Sequence, residues 1–185
     1  LLKLQGRVAH IAGADVDPVV LENPYLDRAE IIQPGERMPF ADGAFDLVFA
    51  DWVLEHVATP EQFAGEIQRI LKPGGWFCAR TPNRWGITGL ATNLIPSKYH
   101  AAIVARLQPG RQEIDVFPTT YRMNTRRRVR RLFPAADWHD HSYLHSSEPP
   151  YVQRSRIATG LVNIYLRLAP SFLATNLFIF LRKKG

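Results

Sequence analysis

The sequence predicts an α/β protein built on a parallel sheet, and three features between Arg37 and Asn83 carry that prediction. Phe45 to Ala50 (FDLVFA) is a short apolar run without strict alternation, the pattern of a strand buried on both faces. Thr59-Pro60-Glu61-Gln62 offers an N-cap, a proline at the first helical position and a glutamine three residues after the cap. Lys72-Pro73-Gly74-Gly75 then makes a turn before a second buried run, Trp76 to Thr81 (WFCART). Strand, helix and strand in this order form a βαβ unit, one half of a nucleotide-type fold whose ligand-facing loops follow the strands. Those loops hold Asp51-Trp52 and Thr81-Pro82-Asn83.

The helix between the two strands has Phe63, Ile67, Ile70 and Leu71 on one face and Glu61, Gln62, Gln68 and Arg69 on the other, so it packs on a sheet with its polar side in water. In Arg126-Arg127-Arg128-Val129-Arg130-Arg131 the arginines read as the solvated face of a helix. Val129, Leu132 and Phe133 supply its apolar stripe, and Asn124 or Thr125 its cap. A nucleic-acid or anionic-lipid patch is the weaker reading of that run. Arg156 to Leu168 reads as an apolar helix, broken by Ala169-Pro170. Asn176 to Leu181 (NLFIFL) reads as a strand, ended by Arg182-Lys183-Lys184.

Composition fits one domain able to bury a core: 185 residues, 46% hydrophobic and 22% charged, with Lys and Arg numbering 23 against 17 Asp and Glu. Cys78 is the only cysteine, which excludes an internal disulfide and a thiolate metal cluster. Its place between Phe77 and Ala79 suggests a buried thiol in a reducing, cytoplasmic setting. Asn163, Arg167, Pro170, Ser171 and Asn176 interrupt the run from Leu161 to Leu181, so it does not read as a membrane span; peripheral membrane contact through the helix stays open.

The wording of the central segment resembles the class I S-adenosylmethionine-dependent methyltransferases, and within them the methyltransferase type 11 group. Three pieces in order carry the resemblance: the entry Met38-Pro39-Phe40-Ala41-Asp42-Gly43-Ala44-Phe45-Asp46, the turn Leu54-Glu55-His56, and Leu71 to Gly75. It implies a Rossmann-like sheet, mostly parallel with an antiparallel last strand at the sheet edge, and S-adenosyl-L-methionine as cofactor. Val8 to Ala14 becomes the second strand and a stretch near His139 to Leu144 the sixth. Asp15, next to Val16, matches the acidic position that holds the cofactor ribose, while Asp51 and Trp52 fall beside its methionine half. Backbone groups of Gly35 and Glu36 fall near the adenine, although Pro34 stands where the group often has an aspartate. The group's first strand and its glycine-rich loop have no counterpart here, which leaves a hole expected between the second and fourth strands and points to an N-terminally truncated chain.

On this reading residues 1–185 form a single methyltransferase domain. Residues 1–83 are the cofactor-binding core, 84–123 and 146–170 are insertions that cap the substrate, and 124–145 with 171–185 complete the core. The partner is a small-molecule methyl acceptor, with a lipid- or sugar-linked compound among the options, and the oligomeric state is left open. Methyl transfer from a sulfonium is an in-line displacement, so the obligatory machinery is small: alignment, and a base where the acceptor is a hydroxyl. Candidate bases are His56, His100, His139, His141, His145, Tyr121, Glu113 and Asp115; His56 is the catalytic candidate, with a packing role as its plainer explanation. Tyr121, Arg122, His100 and Tyr151 are candidates for the substrate cap. The spacing of His139, His141 and His145 permits a metal trio, but no carboxylate pair or cysteine completes it in the sequence, and no metal is expected. Glu148-Pro149-Pro150-Tyr151 resembles the motif of amino-group nucleic-acid methyltransferases, but lies outside the position after the fourth strand and reads as a cap loop. Two other readings compete: a non-catalytic remnant of the fold serving as a binding module, and a nicotinamide oxidoreductase. No Tyr here has a Lys four residues on, which weighs against the latter.

Overall fold

A computed structural model describes residues 4–87, 89–90, 119–146 and 156–185. It contains two sheets. The smaller pairs β1 (Ala12–Asp15) with β2 (Arg28–Ile31) in parallel, with a 3-10 helix, Pro18–Glu22, between them. The larger contains β3 (Phe45–Asp51), β4 (Leu71–Pro82), β5 (Trp138–Asp140), β6 (Tyr143–His145) and β7 (Asn176–Lys183). Helices α1 (Pro60–Ile70), α2 (Arg126–Leu132) and α3 (Arg156–Leu168) complete the described elements above single-turn length.

Strand β4 is the centre of the larger sheet, parallel to β3 on one edge and antiparallel to β7 on the other. β5 and β6 both pair with β7 in one continuous register, from Trp138 opposite Lys183 to His145 opposite Asn176. They are a single strand interrupted where Ser142 N–H turns back to the Asp140 carboxylate at 2.9 Å. The expected sixth strand is thus present in two pieces; the last strand is antiparallel as anticipated, but it lies inside the sheet, between β4 and β5–β6, not at the edge where it was expected.

The glycine turn before the second apolar run is a bulge inside β4. Phe45 pairs with Leu71 and Leu47 with Trp76, so the partner strand skips residues 72–75. Gly74 takes a φ of +78°, and a Cβ on Gly75 would lie 3.0 Å from the Lys72 carbonyl and 3.2 Å from that of Asp46, which explains both glycines.

The capping expected for α1 is only partly realised. Pro60 occupies the helix start, but Thr59 makes no side-chain cap bond, and Gln62 Nε2 donates to the Gly35 carbonyl instead of closing a capping box. On α2 the cap is Thr125, whose Oγ1 accepts from Arg128 N–H at 3.2 Å. Arg128 pairs with Glu61 and Arg130 with Asp140, so two of its arginines serve ion pairs on the solvated face.

The two faces of the larger sheet differ sharply. On one, Phe77, Ala79, Leu177, Ile179 and Leu181 pack under Ala64, Ile67 and Ile70 of α1 and Val129 of α2, all of them buried. Aromatic contacts tie this layer together, from Phe63 to Phe77 at 6.2 Å, Phe77 to Phe133 at 5.5 Å and Phe133 to Trp138 at 5.2 Å. On the other face Leu47 is 50% and Phe49 60% exposed. The expectation that Phe45 to Ala50 is buried on both faces is therefore corrected: within the described residues only one face of β3 is covered. Cys78, expected to be buried, lies on the uncovered face opposite Phe49 and Phe180 and is half-buried.

β1 begins at Ala12, later than the Val8 expected; just ahead of the two parallel strands Ile11 N–H bonds the Asp27 carboxylate at 2.7 Å and Asp27 N–H the Ile11 carbonyl at 2.9 Å. β1 and β2 form their own sheet, with no ladder to β3 among the described residues. The hole expected between the second and fourth strands of the family sheet falls at this break between the two sheets, which share no ladder among the described residues. A separate clamp holds the loop ahead of β3: Arg69 of α1 donates to the carbonyls of Met38 and Phe40 and pairs with Asp42 and Glu66. Glu66 also accepts from Met38 N–H at 2.7 Å. These bonds account for the shape of the segment Met38 to Asp46.

Replacing buried Ile67 by Ala should lower unfolding free energy in urea by about 2–5 kcal/mol, whereas Phe49→Ser on the uncovered face should change it by about 0.5 kcal/mol or less. A large loss at Phe49 would show that this face is covered in solution.

Candidate active site

The ends of β3 and β4 form a rim built from two clusters. At the first, Asp51 closes β3 and both its carboxylate oxygens accept from Arg80 of β4, at 2.7 Å each. Trp52 follows with φ +57°, a left-handed conformation uncommon outside glycine, fixed by its N–H to the Arg80 carbonyl at 2.9 Å. The Arg80 guanidinium then lies over the Trp52 ring, 5.1 Å from its centroid. Asp51, Trp52 and Arg80 form one charged, partly exposed unit.

The second cluster lies beneath the rim. Glu55 is 4% exposed, and its carboxylate accepts from the Thr81 hydroxyl at 2.8 Å. Asn124 Nδ2 donates to the same hydroxyl oxygen at 2.6 Å and to the Pro82 carbonyl at 3.0 Å. The Glu55 carbonyl accepts from the N–H groups of Thr120 and Tyr121. One glutamate thus joins the turn after β3, the end of β4 and the chain that enters α2. Burial raises its pKa above the ordinary 4.5 despite the opposing hydrogen bonds.

The sequence-derived candidates fall into three groups. Asp15 stands exposed at the end of β1; its Oδ1 accepts from Asp17 N–H at 3.0 Å, and Asp17 in turn caps the 3-10 helix through Val19 N–H. Asp15 also lines an open depression of about 450 Å³ with Val19, Val20, Glu22, Asn23 and Pro24. Val16 beside it is 43% exposed. Gly35, at φ +88°, and Glu36 lie in the turn that Gln62 holds against α1, so the Gly35 carbonyl is already engaged. His56 is half-buried in the turn after Glu55, with its N–H on the Val53 carbonyl at 3.0 Å. Tyr121 is 7% exposed with φ +50°, and Arg122 donates to the Ala58 carbonyl at 2.9 Å, so both help fasten the chain entering α2. His141 lies against Trp76 at 5.6 Å and His145 against Phe178 at 5.9 Å; no group of three metal-binding side chains occurs among the described residues. His100, Glu113, Asp115 and Tyr151 lie outside the described residues.

Glu55 and Arg80 were not selected from the sequence. Glu55 stands in the same Leu54-Glu55-His56 turn from which His56 was chosen. Its signal was a carboxylate directly after Leu54, which is wholly buried. Arg80 sits at an alternate position of an apolar strand, a charge that must find a partner.

A mostly parallel sheet with an antiparallel last strand, crossover helices on one face and an acidic strand end is the architecture of a class I methyltransferase. Residues 1–79 match a family model described as a methyltransferase domain. Over this segment the chain is similar to the class I S-adenosylmethionine-dependent methyltransferases. Among curated relatives, a sterol 4-C-methyltransferase of Caenorhabditis elegans is 40% identical over 52 residues, covering 28% of this chain and 16% of the relative. The ubiquinone/menaquinone biosynthesis C-methyltransferase of Hahella chejuensis is 39% identical over 57 residues, 30% of this chain and 23% of that protein. The matched segments therefore span less than a quarter of these relatives. A SAM-dependent methyltransferase of Thermotoga maritima superposes with a TM-score of 0.61 at 14% identity, covering 94% of this chain and 73% of its own, which establishes the shared fold.

The raised pKa of Glu55 has a defined sign. The folded state holds the proton more tightly than the unfolded chain, so its contribution to stability is complete below about pH 4.5 and is lost as pH rises through the folded value. Glu55→Gln, which cannot ionise, should gain stability relative to the parent as pH rises above about 4.5 and the parent's buried carboxyl gives up its proton. Glu55→Ala should cost about 1–3 kcal/mol throughout by stranding the Thr81–Asn124 pair. Thermal melts of the three proteins below and above that pH measure both effects.

Proposed function

We propose that this chain supplies the ribose-binding edge and the acceptor rim of a methyltransferase that transfers the S-adenosylmethionine methyl group to a small apolar acceptor. The observation that carries the reading is the Asp15 carboxylate: exposed at the end of a parallel strand, with Oδ1 engaged by Asp17 N–H, it keeps Oδ2 available for a pair of vicinal hydroxyls. A carboxylate beside an open depression suits a ribose, and the residues present fit that half of the cofactor. The fit at the methionine half is narrower. Asp51 commits both oxygens to Arg80, so it would meet an ammonium only by sharing or yielding that partner, and Trp52 offers an exposed ring and backbone at the same rim.

When bound, the cofactor supplies an electrophilic methyl on sulfur; the protein's part is to align the acceptor and to limit water. Among the described rim residues, His56 is the candidate base for a hydroxyl or activated carbon acceptor. Tyr121 and Arg122, fastened under the turn that bears Glu55, would position one wall of the acceptor site rather than take part in proton transfer. The sterol and quinone C-methyltransferases among the relatives support an apolar acceptor.

The reading as a binding module draws on a different observation, the Asp51–Arg80 pair that occupies the rim where a cofactor ammonium would be expected. Calorimetric titration with S-adenosylhomocysteine separates the two. The product of the whole reading frame should bind it, and Asp15→Ala should weaken binding about tenfold or more, the loss of a charge-assisted bond to a hydroxyl. Heat of binding that is absent, or unchanged by Asp15→Ala, overturns the assignment of the ribose site.

A further inference from the structure

We propose that α3 and the turn after β4 form a docking face for an anionic lipid surface, with the helix lying in the plane of the interface. Leu161, Ile164 and Leu168 recur at i, i+3 and i+7, so they form one stripe along α3, and they are 65%, 56% and 78% exposed. Phe172, just beyond the helix, is 59% exposed. The stripe is not the packing side of the helix: Val162, Leu166 and Ala169, on the opposite side, are only partly exposed, and Tyr165 at the edge of the stripe fastens α3 to the chain ahead of β7 through its hydroxyl on the Leu173 carbonyl at 2.6 Å. A helix that shows water leucine and isoleucine where charges belong has a partner for that face.

Charge identifies the partner. From Arg156 through α3 to Asn176 the sequence has two arginines and no Asp or Glu. Arg167 is exposed on the helix itself. Asn83 Nδ2 bonds the carbonyls of Phe172 and Ala174, at 2.8 Å each, which places the exposed Arg84 and the 52% exposed Trp85 beside Phe172. Apolar stripe, flanking arginines and an edge tryptophan are the composition of a helix that lies at a bilayer surface. A second copy meeting this face about a twofold axis would press like-charged arginines together, whereas anionic headgroups neutralise them. No described helix is long and apolar enough to cross a membrane. The 13 residues of α3 extend about 20 Å, short of a hydrocarbon core of about 30 Å.

The face also lies at the site. Asn176 pairs with Pro82, so Phe172 and Trp85 stand at the rim end of β4. An apolar acceptor dissolved in the bilayer would then reach the rim without crossing water. The docking itself depends on no methyl transfer.

Flotation of the protein with vesicles of phosphatidylcholine, alone or mixed with phosphatidylglycerol, tests the proposal. Binding should be about tenfold or more stronger to the mixed vesicles, and Arg84→Gln with Arg167→Gln should remove that preference. Leu161→Glu with Leu168→Glu should abolish binding while circular dichroism stays unchanged; the single Leu168→Glu variant, at the most exposed position, should weaken it and serves if the double variant unfolds. Equal binding to both vesicles, no binding, binding indifferent to these glutamates, or glutamates whose sole effect in sedimentation is to turn a dimer into a monomer would each overturn the docking face. Titration of the same samples with S-adenosylhomocysteine distinguishes the failures, because lost vesicle binding with intact cofactor heat overturns docking alone.

Discussion

The rim that bears Asp51, Trp52 and Glu55 is fastened to one strand, β4, hydrogen-bonded along both edges. A strand in that position has its backbone polar groups satisfied on both sides and tolerates no change of register, since a one-residue slip would exchange its two faces. Its C-terminal end therefore serves as a fixed reference. Arg80 reaches sideways to Asp51 of β3, Thr81 points down to Glu55, and Asn83 reaches across to the chain ahead of β7. Three successive directions from one strand end set the rim, the support beneath it and the approach to it.

The support is an economical use of a costly group. A buried carboxylate is unfavourable unless it is protonated or bonded, and Glu55 takes a hydroxyl donor and a raised pKa together. In return, side chain and backbone of this one residue join three segments far apart in sequence. The rim above can then carry groups that are poorly stable by themselves, such as the left-handed Trp52. The Arg69 clamp plays the corresponding part at the opposite end of β3, where its guanidinium is pulled to higher basicity by Glu66 and Asp42 and organises the loop from Met38 to Asp42.

The asymmetry of the sheet faces bears on how legible the sequence was. The helices and the strands of the larger sheet were readable because their apolar periods are set locally: Ile67 and Ile70 face inward, Val129 and Phe133 do the same, and β7 appears where NLFIFL stands. The strand β2 was not readable, because Arg28-Ala29-Glu30-Ile31 has too few apolar residues to announce itself and is held by pairing with β1. The apolar character of FDLVFA was taken to mean burial on both sides, but hydrophobicity reports what a residue favours, and only neighbours decide whether it is met. At the site, Asp15, Asp51 and Trp52 were visible as strand ends. Arg80 and Glu55 were not, since their importance lies in partners 29 and 26 positions away.

By itself the sequence determined the class of fold, the order of its helices and of the strands of the larger sheet, and the family resemblance that runs from Met38 to Gly75. These follow from spacing within a few residues, where backbone geometry leaves few choices. Tertiary structure decided the rest: that Asp51 is held by Arg80, that Glu55 rather than His56 anchors the rim, that the two sheets share no ladder among the described residues, and that α3 turns an apolar stripe outward. Each depends on which surfaces meet, and contacts between distant segments are fixed by packing of the whole chain, not by any local pattern.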